Sequence, residues 1–259
     1  MKLNKLKVKE NVKKALEEDG YKSDLSLNSS KINKKHVAKA KLVTRQNGIL
    51  SGSFWFEQAF KIIDKNAEFN WKVLEGRNFK KNTEIVEIKA SIQAILSGER
   101  TALNFLQMMS GISSKAKAYS DYLKDTKIEL LDTRKTLPNL RYEQKYSTYI
   151  GGVKNHRFGL FDAIMLKDNH IKAFGGIKKI KNFKFLDKGD FLEIEIEKIS
   201  QILPALKCKP DILLLDNLNI KDIKKAIKLI NSNCLIEISG VKKPEDIKIY
   251  KKLPIHYIS

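Results

Sequence analysis

The second half of the chain alternates short apolar runs with polar segments of helical spacing. Buried strands separated by amphipathic helices are typical of a parallel α/β barrel, whose strands present their carboxyl ends at one shared mouth. Six runs occur, too few for a closed eight-stranded barrel, so we predict an incomplete α/β barrel of about six parallel strands. The runs are IELLD (128–132), AIMLK (163–167), LEIEIE (192–197), ILLLD (212–216), CLIEIS (234–239) and IHYIS (255–259).

The segments between these runs predict the outer helices of the barrel. Residues 199–207, 220–230 and 244–252 have the apolar spacing of helices that cover a sheet.

The first part of the chain has a different pattern and predicts a small α+β unit. Residues 8–19 and 54–64 have helical spacing. Residues 37–45 and 84–91 alternate apolar and polar side chains, as half-buried strands do.

A long helical stretch follows this unit. It begins near Ile92, and Gly98 and Gly111 predict breaks within it. The change of pattern predicts an N-terminal domain over 1–108 and a barrel domain over 109–259.

Charge is the most unusual feature of the composition, with a formal net charge of +20. The lysines are scattered and are not interleaved with aromatic residues, which argues against a nucleic-acid surface. The arginines are few and grouped instead, because four of the six lie between Arg100 and Arg157. This grouping favours a site for a small acidic substrate.

The termini and cysteines point to a cytoplasmic protein. The first ten residues, MKLNKLKVKE, are too charged for a secretory segment, and no apolar run is long enough to span a membrane. Cys208 and Cys234 lie in apolar surroundings without metal-site spacing, so we expect reduced thiols.

Charged and polar side chains recur where the predicted strands end. Because the carboxyl ends of parallel strands share one rim, we expect these residues to lie close together. They are Asp132, Arg134, Lys135, Lys167, Asp168, Asn169, His170, Glu193, Glu195, Asp216, Asn217, Ser239 and Gly240.

The run LEIEIE places three glutamates on one face of a strand. Glu193, Glu195 and Glu197 alternate with leucine and isoleucine, so they point away from the apolar face. If that face is the barrel interior, the carboxylates need lysines or a divalent cation opposite them. A solvent-facing edge strand is the alternative.

The segment GGVKNHRFGLFDAIMLKDNHI (151–171) carries a dense group of cations. Lys154, His156 and Arg157 follow a glycine pair, and Arg134, Lys135 and Lys167 are expected at the same rim. Such a group repels itself unless it binds a partner with several negative charges. We therefore predict an anionic ligand.

These motifs resemble the quinolinate phosphoribosyltransferases, also called nicotinate-nucleotide pyrophosphorylases, in both order and spacing over nearly the whole chain. EDGYKSD (18–24) is similar to that family's N-terminal motif. The other matching segments are ERTALNFLQ (99–107), SGI (110–112), DTRKTLPNLR (132–141), GGVKNHRFGLFD (151–162), LKDNHI (166–171), EIEIE (193–197), LLDN (214–217) and EISG (237–240).

The resemblance implies a fold and a reaction. The fold is a sandwich-like N-terminal domain followed by the incomplete barrel, assembled as a homodimer or a hexamer. The reaction converts quinolinate and phosphoribosyl pyrophosphate into nicotinate mononucleotide, pyrophosphate and carbon dioxide, with Mg²⁺ required. Two carboxylates and several phosphates explain the converging cations, because the arginine fork suits carboxylates.

The resemblance also implies roles for individual residues. Arg134, His156 and Arg157 would bind the quinolinate carboxylates, and Arg100 would reach the site from a neighbouring subunit. Lys135 and Lys167 would contact the substrate carboxylate or phosphoribosyl pyrophosphate. Glu195 and Asp216 would serve the ribose hydroxyls and Mg²⁺, directly or through Mg-bound pyrophosphate. Ser239 and Gly240 would bind the 5′-phosphate.

Two departures from the family pattern leave alternatives open. Val241 stands where the family usually has a second glycine, and relatives continue beyond IHYIS through a phosphate loop and a helix. The alternatives are a member with reduced or altered activity, or a molybdenum-transport-associated relative acting on another acidic substrate. A Schiff-base aldolase using Lys167 and a nucleic-acid-binding protein are further alternatives from other classes.

Overall fold

Two compact units make up the protein. A computed structural model describes residues 1–180 and 191–259. One unit comprises residues 1–117 and 142–152, and the other comprises the remaining described residues. Residues 142–152 thus belong to the first unit, although they follow part of the second unit in the sequence.

The first unit combines helices with two small antiparallel sheets, as the α+β prediction expected. β5 is the centre of the larger sheet, between β1 and β3, and β2 pairs with β4. The helices are α1 (Lys5–Asp19), α2 (Leu25–Asn28), α3 (Ser53–Ile63), α4 (Ile92–Ser120) and α5 (Arg141–Ile150), and the strands are β1 (Val37–Val43), β2 (Gly48–Ile49), β3 (Glu68–Trp71), β4 (Asn78–Phe79) and β5 (Glu84–Ser91).

Helix α1 forms because its apolar residues fall one turn apart. Val8, Val12 and Leu16 are fully buried on one face of the helix, which packs against α3. The Asn4 side chain accepts the Lys7 backbone N–H at the start of the helix, so α1 begins three residues earlier than periodicity predicts. Gly20, with φ 71°, ends it in the left-handed conformation.

Helix α4 is continuous, so the prediction of breaks at Gly98 and Gly111 is wrong. At Gly98 the missing side chain permits close packing, since a Cβ there would lie 3.3 Å from the Ala59 carbonyl oxygen of α3. At Gly111 a Cβ would meet no atom within 4 Å, so the residue is an exposed helical glycine. A single glycine weakens a helix by only about 1 kcal/mol, which packing offsets.

The second unit contains the predicted six-stranded parallel sheet. The strand order is β6-β11-β10-β9-β8-β7, and every neighbouring pair is parallel. The strands are β6 (Glu129–Leu130), β7 (Ile164–Leu166), β8 (Leu192–Ile196), β9 (Ile212–Leu215), β10 (Leu235–Ile238) and β11 (Tyr257–Ile258). The helices are α6 (Asp168–Ala173), α7 (Ile177–Ile180), α8 (Ile202–Leu206) and α9 (Ile220–Ile230).

One face of this sheet packs on the helices, and the other carries acidic side chains. The isoleucines and leucines at alternate positions of β8, β9 and β10 join the buried apolar core with α8 and α9. The opposite face of β8 presents Glu193 and Glu195, and that of β10 presents Glu237; all three side chains are buried. The glutamates of β8 therefore do not form a solvent-facing edge.

The predicted outer helix over 220–230 is α9, and that over 199–207 consists of a 3₁₀ turn, Ile199–Gln201, followed by α8. The predicted outer helix over 244–252 is a 3₁₀ helix, Pro244–Ile249. Cys208 and Cys234 form no disulfide, and burial raises the pKa of both thiols. Within the described residues, no helix is both long and apolar enough to cross a membrane.

Candidate active site

Polar side chains from β7 and β8 meet at the carboxyl ends of the strands. Lys167 directly follows β7, and its Nζ donates to Glu195 Oε2 on β8 at 3.0 Å. Glu195 is only 8% exposed, so Lys167 supplies the cation that its buried carboxylate requires. This ion pair confirms the expectation that a lysine lies opposite a glutamate of LEIEIE.

A second polar group lies at the ends of β9 and β10. The Ser239 hydroxyl donates to Asp216 Oδ1, and Asn217 Nδ2 donates to Asp216 Oδ2 at 3.0 Å. Gly240 has φ 95°, and a Cβ there would lie 2.5 Å from Asn217 Oδ1. The left-handed φ favours glycine here, and a side chain would also displace the Asn217 amide.

Val241 lies just beyond this group. Its side chain is half-buried and packs against the apolar core of the second unit. The branched side chain therefore has contacts in the core.

A half-buried histidine contacts Glu193, which lies two residues before Glu195 on β8. His156 Nε2 is 2.9 Å from Glu193 Oε2 and 3.7 Å from Glu237 Oε2. Nδ1 of the same ring accepts the Arg157 backbone N–H at 2.7 Å. Because Nδ1 accepts, the ring proton lies on Nε2 and is donated to Glu193.

Asp132 ties this histidine segment to the end of β6. Its Oδ1 accepts the His156 backbone N–H at 2.9 Å, and its Oδ2 accepts Asn155 Nδ2 at 2.7 Å. The buried Asp132 carboxylate therefore connects the segment before Arg134 to the segment before Arg157.

Two arginines of the predicted cluster lie close enough to influence each other. Burial lowers the pKa of Arg157, and the positive charge of Arg134 lowers it further, while Glu193 and Asp162 act in the opposite direction. Arg134 Nε is buried and has no hydrogen-bond partner among the described residues. A buried donor of this kind is costly unless it is paired, so it favours an anionic ligand here.

The predicted cluster is brought together only in part. Lys154 is directed to Glu129, with Nζ and Oε1 2.5 Å apart, and Lys135 is exposed. Arg100 is exposed on α4 in the first unit.

A cavity of about 420 Å³ opens near the amino ends of the strands. His156, Arg157, Leu131 and Ile212 are among the residues that line it, and Arg134 and Lys167 are not. The cavity therefore lies on the side of His156 away from the rim.

Two features of the site were missed from the sequence. Glu237 was not singled out, although CLIEIS alternates as LEIEIE does and carries its glutamate on the corresponding face. The other is an acidic cluster, in which one carboxylate oxygen from each of Asp168, Glu195 and Glu197 lies within 4.8 Å of the others. The alternation of apolar and polar residues in CLIEIS could have indicated Glu237. The position of Asp168 near Glu195 and Glu197 depends instead on the turn after β7, which the sequence pattern does not predict.

Comparisons with known proteins agree on one family. The model of the quinolinate phosphoribosyl transferase N-terminal domain matches residues 24–110, and that of the C-terminal domain matches residues 112–259. A probable nicotinate-nucleotide pyrophosphorylase [carboxylating] of Bacillus subtilis is 33% identical, over 99% of this chain and 89% of the relative. A quinolinate phosphoribosyltransferase [decarboxylating] of Nicotiana glauca is 32% identical, over 86% of this chain and 69% of the relative.

Solved structures give the same result. NadC from Streptococcus pyogenes matches with a TM-score of 0.93 and 36% identity, over 100% of this chain and 92% of that one. The nicotinate-nucleotide pyrophosphorylase from Francisella tularensis matches with a TM-score of 0.91 and 33% identity, over 100% of this chain and 91% of that one. This chain is an enzyme of the phosphoribosyl-transferring class. It belongs to the quinolinate phosphoribosyltransferase family.

The buried pair Glu193 and Glu237 predicts a pH-dependent stability. Burial, and next the negative charge of Glu193, raise the pKa of Glu237 to about 7 from 4.5. The unfolded chain therefore loses its proton at lower pH than the folded protein does. The stability contribution of Glu237 is complete below about pH 4.5 and is lost as pH rises through about 7.

Glu237→Gln removes this titration. We expect the free energy of unfolding of the wild type, relative to Glu237→Gln, to fall by up to about 3 kcal/mol from acidic pH to pH 8. Urea unfolding of both proteins across this range measures the difference, and exposed Glu197→Gln is the control. A difference between wild type and Glu237→Gln that stays constant with pH would contradict the assignment.

Proposed function

We propose that this chain transfers phosphoribosyl from phosphoribosyl pyrophosphate to quinolinate with decarboxylation, giving nicotinate mononucleotide, pyrophosphate and carbon dioxide in NAD biosynthesis. The observation that carries this proposal is the arginine pair Arg134 and Arg157, whose like charges are close and whose Arg134 Nε is buried without a partner among the described residues. A ligand with two adjacent carboxylates would satisfy both guanidinium groups. Family membership supports this choice of ligand.

The quinolinate end of the site consists of cations. Arg134 and Arg157 would bind the two carboxylates through paired hydrogen bonds, and Lys135 and Lys167 would contact a carboxylate or phosphoribosyl pyrophosphate. A direct contact from His156 stays a prediction, because in this conformation its ring nitrogens are bonded to Glu193 and to the Arg157 backbone.

The phosphoribosyl end of the site consists of carboxylates and a tight turn. Glu195 and Asp216 would accept hydrogen bonds from the ribose hydroxyls, and Ser239 and Gly240 would bind the 5′-phosphate. Gly240 suits this role because its left-handed backbone favours glycine, and a residue without a side chain lets the backbone approach a phosphate closely.

The acidic residues at this end also fit Mg²⁺. Carboxylate oxygens are the ligands that Mg²⁺ prefers, and Asp168, Glu195 and Glu197 bring three of them within 4.8 Å of one another. We propose that Glu195, which belongs to this trio, and Asp216, which lies outside it, hold the ion, directly or through pyrophosphate. Bound Mg²⁺ would neutralise the charge of the departing pyrophosphate.

The reaction requires no nucleophile from the protein. The pyridine nitrogen forms a bond to the ribose anomeric carbon as the bond from that carbon to the pyrophosphate oxygen breaks. Positive charge builds on the ribose, where Glu195 and Asp216 stabilise it. The carbon–carbon bond to the 2-carboxylate then breaks, its electron pair stays on the ring carbon beside the cationic nitrogen, carbon dioxide leaves, and a proton from solvent replaces it.

The proposed activity can be measured directly. Purified protein with quinolinate labelled in its 2-carboxylate, phosphoribosyl pyrophosphate and Mg²⁺ should release labelled carbon dioxide and form nicotinate mononucleotide in equal amounts. Omission of phosphoribosyl pyrophosphate should stop the release. Absence of both products in the complete mixture would refute the proposal.

Arg134→Ala tests the carboxylate assignment. We expect it to abolish measurable quinolinate binding, because losing one partner of a desolvated charge pair costs about 2–5 kcal/mol. Its thermal stability should stay near that of the wild type, since Arg134 makes no part of the apolar core. Calorimetry measures the binding, exposed Arg45→Ala is the matched control, and wild-type affinity in Arg134→Ala would disprove the role.

We also propose a homodimer, or a hexamer built from dimers, in the cytoplasm, with Arg100 completing the site of the adjacent subunit. The exposure of Arg100 on α4 permits such a contact. Arg100→Glu should inactivate a homodimer.

Mixed dimers test the placement of Arg100. Dimers formed from Arg100→Glu and Arg134→Ala chains should regain activity, up to about half that of the wild type, because one of their two sites is intact. Activity of the mixture no higher than that of either variant alone would contradict the placement.

A further inference from the structure

The proposed substrate contacts leave two buried glutamates, Glu193 and Glu237, without a role. Glu193, Glu237 and His156 bring one carboxylate oxygen each and a ring nitrogen within 4.8 Å of one another. Both glutamates have 0% exposure. Two buried carboxylates side by side are costly, which calls for a function that apolar residues cannot provide.

Glu193 sets the state of the His156 ring. It accepts from Nε2 at 2.9 Å, while Nδ1 accepts the Arg157 backbone N–H. An imidazole with this pair of contacts is held in one tautomer and one orientation. Glu237 Oε2 on β10 lies 3.7 Å from the same Nε2, so both carboxylates are next to one ring nitrogen.

The fixed ring in turn positions Arg157. The backbone N–H of Arg157 bonds directly to the ring, and the preceding backbone N–H bonds to Asp132. The guanidinium lies beside β7, where Nη1 donates to the Ala163 carbonyl at 3.3 Å and Nη2 to Met165 Sδ at 3.2 Å. Among the described residues, the charged groups that act on the pair are His156, which contacts both carboxylates, and Arg157, whose charge interacts with Glu193; Arg134 lies near Arg157.

We propose that Glu193 and Glu237 are positioning residues for quinolinate: Glu193 fixes the tautomer and orientation of His156, Glu237 confines the ring, and the ring holds Arg157 against the substrate carboxylate. This inference rests on the proposed function, and it assigns the two glutamates a task distinct from that of Glu195 and Asp216. Their effect should fall on quinolinate rather than on phosphoribosyl pyrophosphate.

The kinetic test uses two substitutions at Glu193. Glu193→Ala removes the acceptor and should raise the KM for quinolinate about tenfold or more. The KM for phosphoribosyl pyrophosphate should change less than about twofold. Glu193→Gln keeps an acceptor oxygen and should recover most of the quinolinate affinity. Glu143→Gln is the matched control, because Glu143 is equally buried but binds Trp55 and Asn11 in the first unit.

A second measurement, by NMR, reports the tautomer of the His156 ring and does not depend on enzyme turnover. The chain has four histidines, so its imidazole ¹⁵N spectrum is simple, and His156→Gln assigns the relevant signal. Wild type should show the Nε2–H tautomer for His156. Glu193→Ala should shift this signal toward a mixture of tautomers, and Glu143→Gln should leave it unchanged.

The outcomes separate the two proposals. An unchanged quinolinate KM and an unchanged His156 spectrum in Glu193→Ala would overturn the inference. A parallel loss for both substrates together with lower thermal stability would also overturn it, since that indicates a purely structural role. If the wild type does not turn over quinolinate, the proposed function fails, and the spectrum alone then supports or overturns the positioning role.

Discussion

The arrangement of the second unit depends on balancing carboxylates that are buried inside a parallel sheet. Glu193, Glu195 and Glu237 are all buried, and an unpaired charge is strongly unfavourable in such a position. Lys167 balances Glu195 through a 3.0 Å contact, and His156 bonds to Glu193 at 2.9 Å. Glu237 responds differently, because burial raises its pKa to about 7 and so keeps it neutral in mildly acidic solution.

This requirement links distant parts of the chain. The parallel topology places the ends of β7, β8, β9 and β10 at one edge, so residues separated by many positions in sequence become neighbours. Asp132 then joins the loop after β6 to the loop that carries His156. Cations and carboxylates are therefore paired at this edge, as Lys167 with Glu195 shows.

Sequence patterns predict the elements of this site better than its contacts. The apolar runs locate all six strands, because a buried parallel strand needs a continuous apolar stretch. The strand ends also indicate Lys167, Glu195, Asp216 and Ser239. In contrast, the pairing of Lys154 with Glu129 depends on side-chain direction, which periodicity does not encode.

Helix α4 and residues 142–152 also show that sequence patterns do not predict long-range contacts. Gly98 and Gly111 have equal intrinsic helix propensity, yet one packs against α3 and the other is exposed, and tertiary contacts keep the helix continuous through both. The return of residues 142–152 to the first unit likewise depends on buried contacts such as the Glu143 carboxylate accepting Trp55 Nε1. Local patterns contain no information about such long-range partners.

The central claim is that the grouped cations of this chain recognise two adjacent carboxylates on one ring. The most direct measurement compares the calorimetric affinity of the wild type for quinolinate with that for nicotinate, which has one carboxylate. We expect quinolinate to bind at least about tenfold more tightly, since one charged pairing is worth about 1.5–3 kcal/mol. Equal affinity for the two ligands would contradict the account.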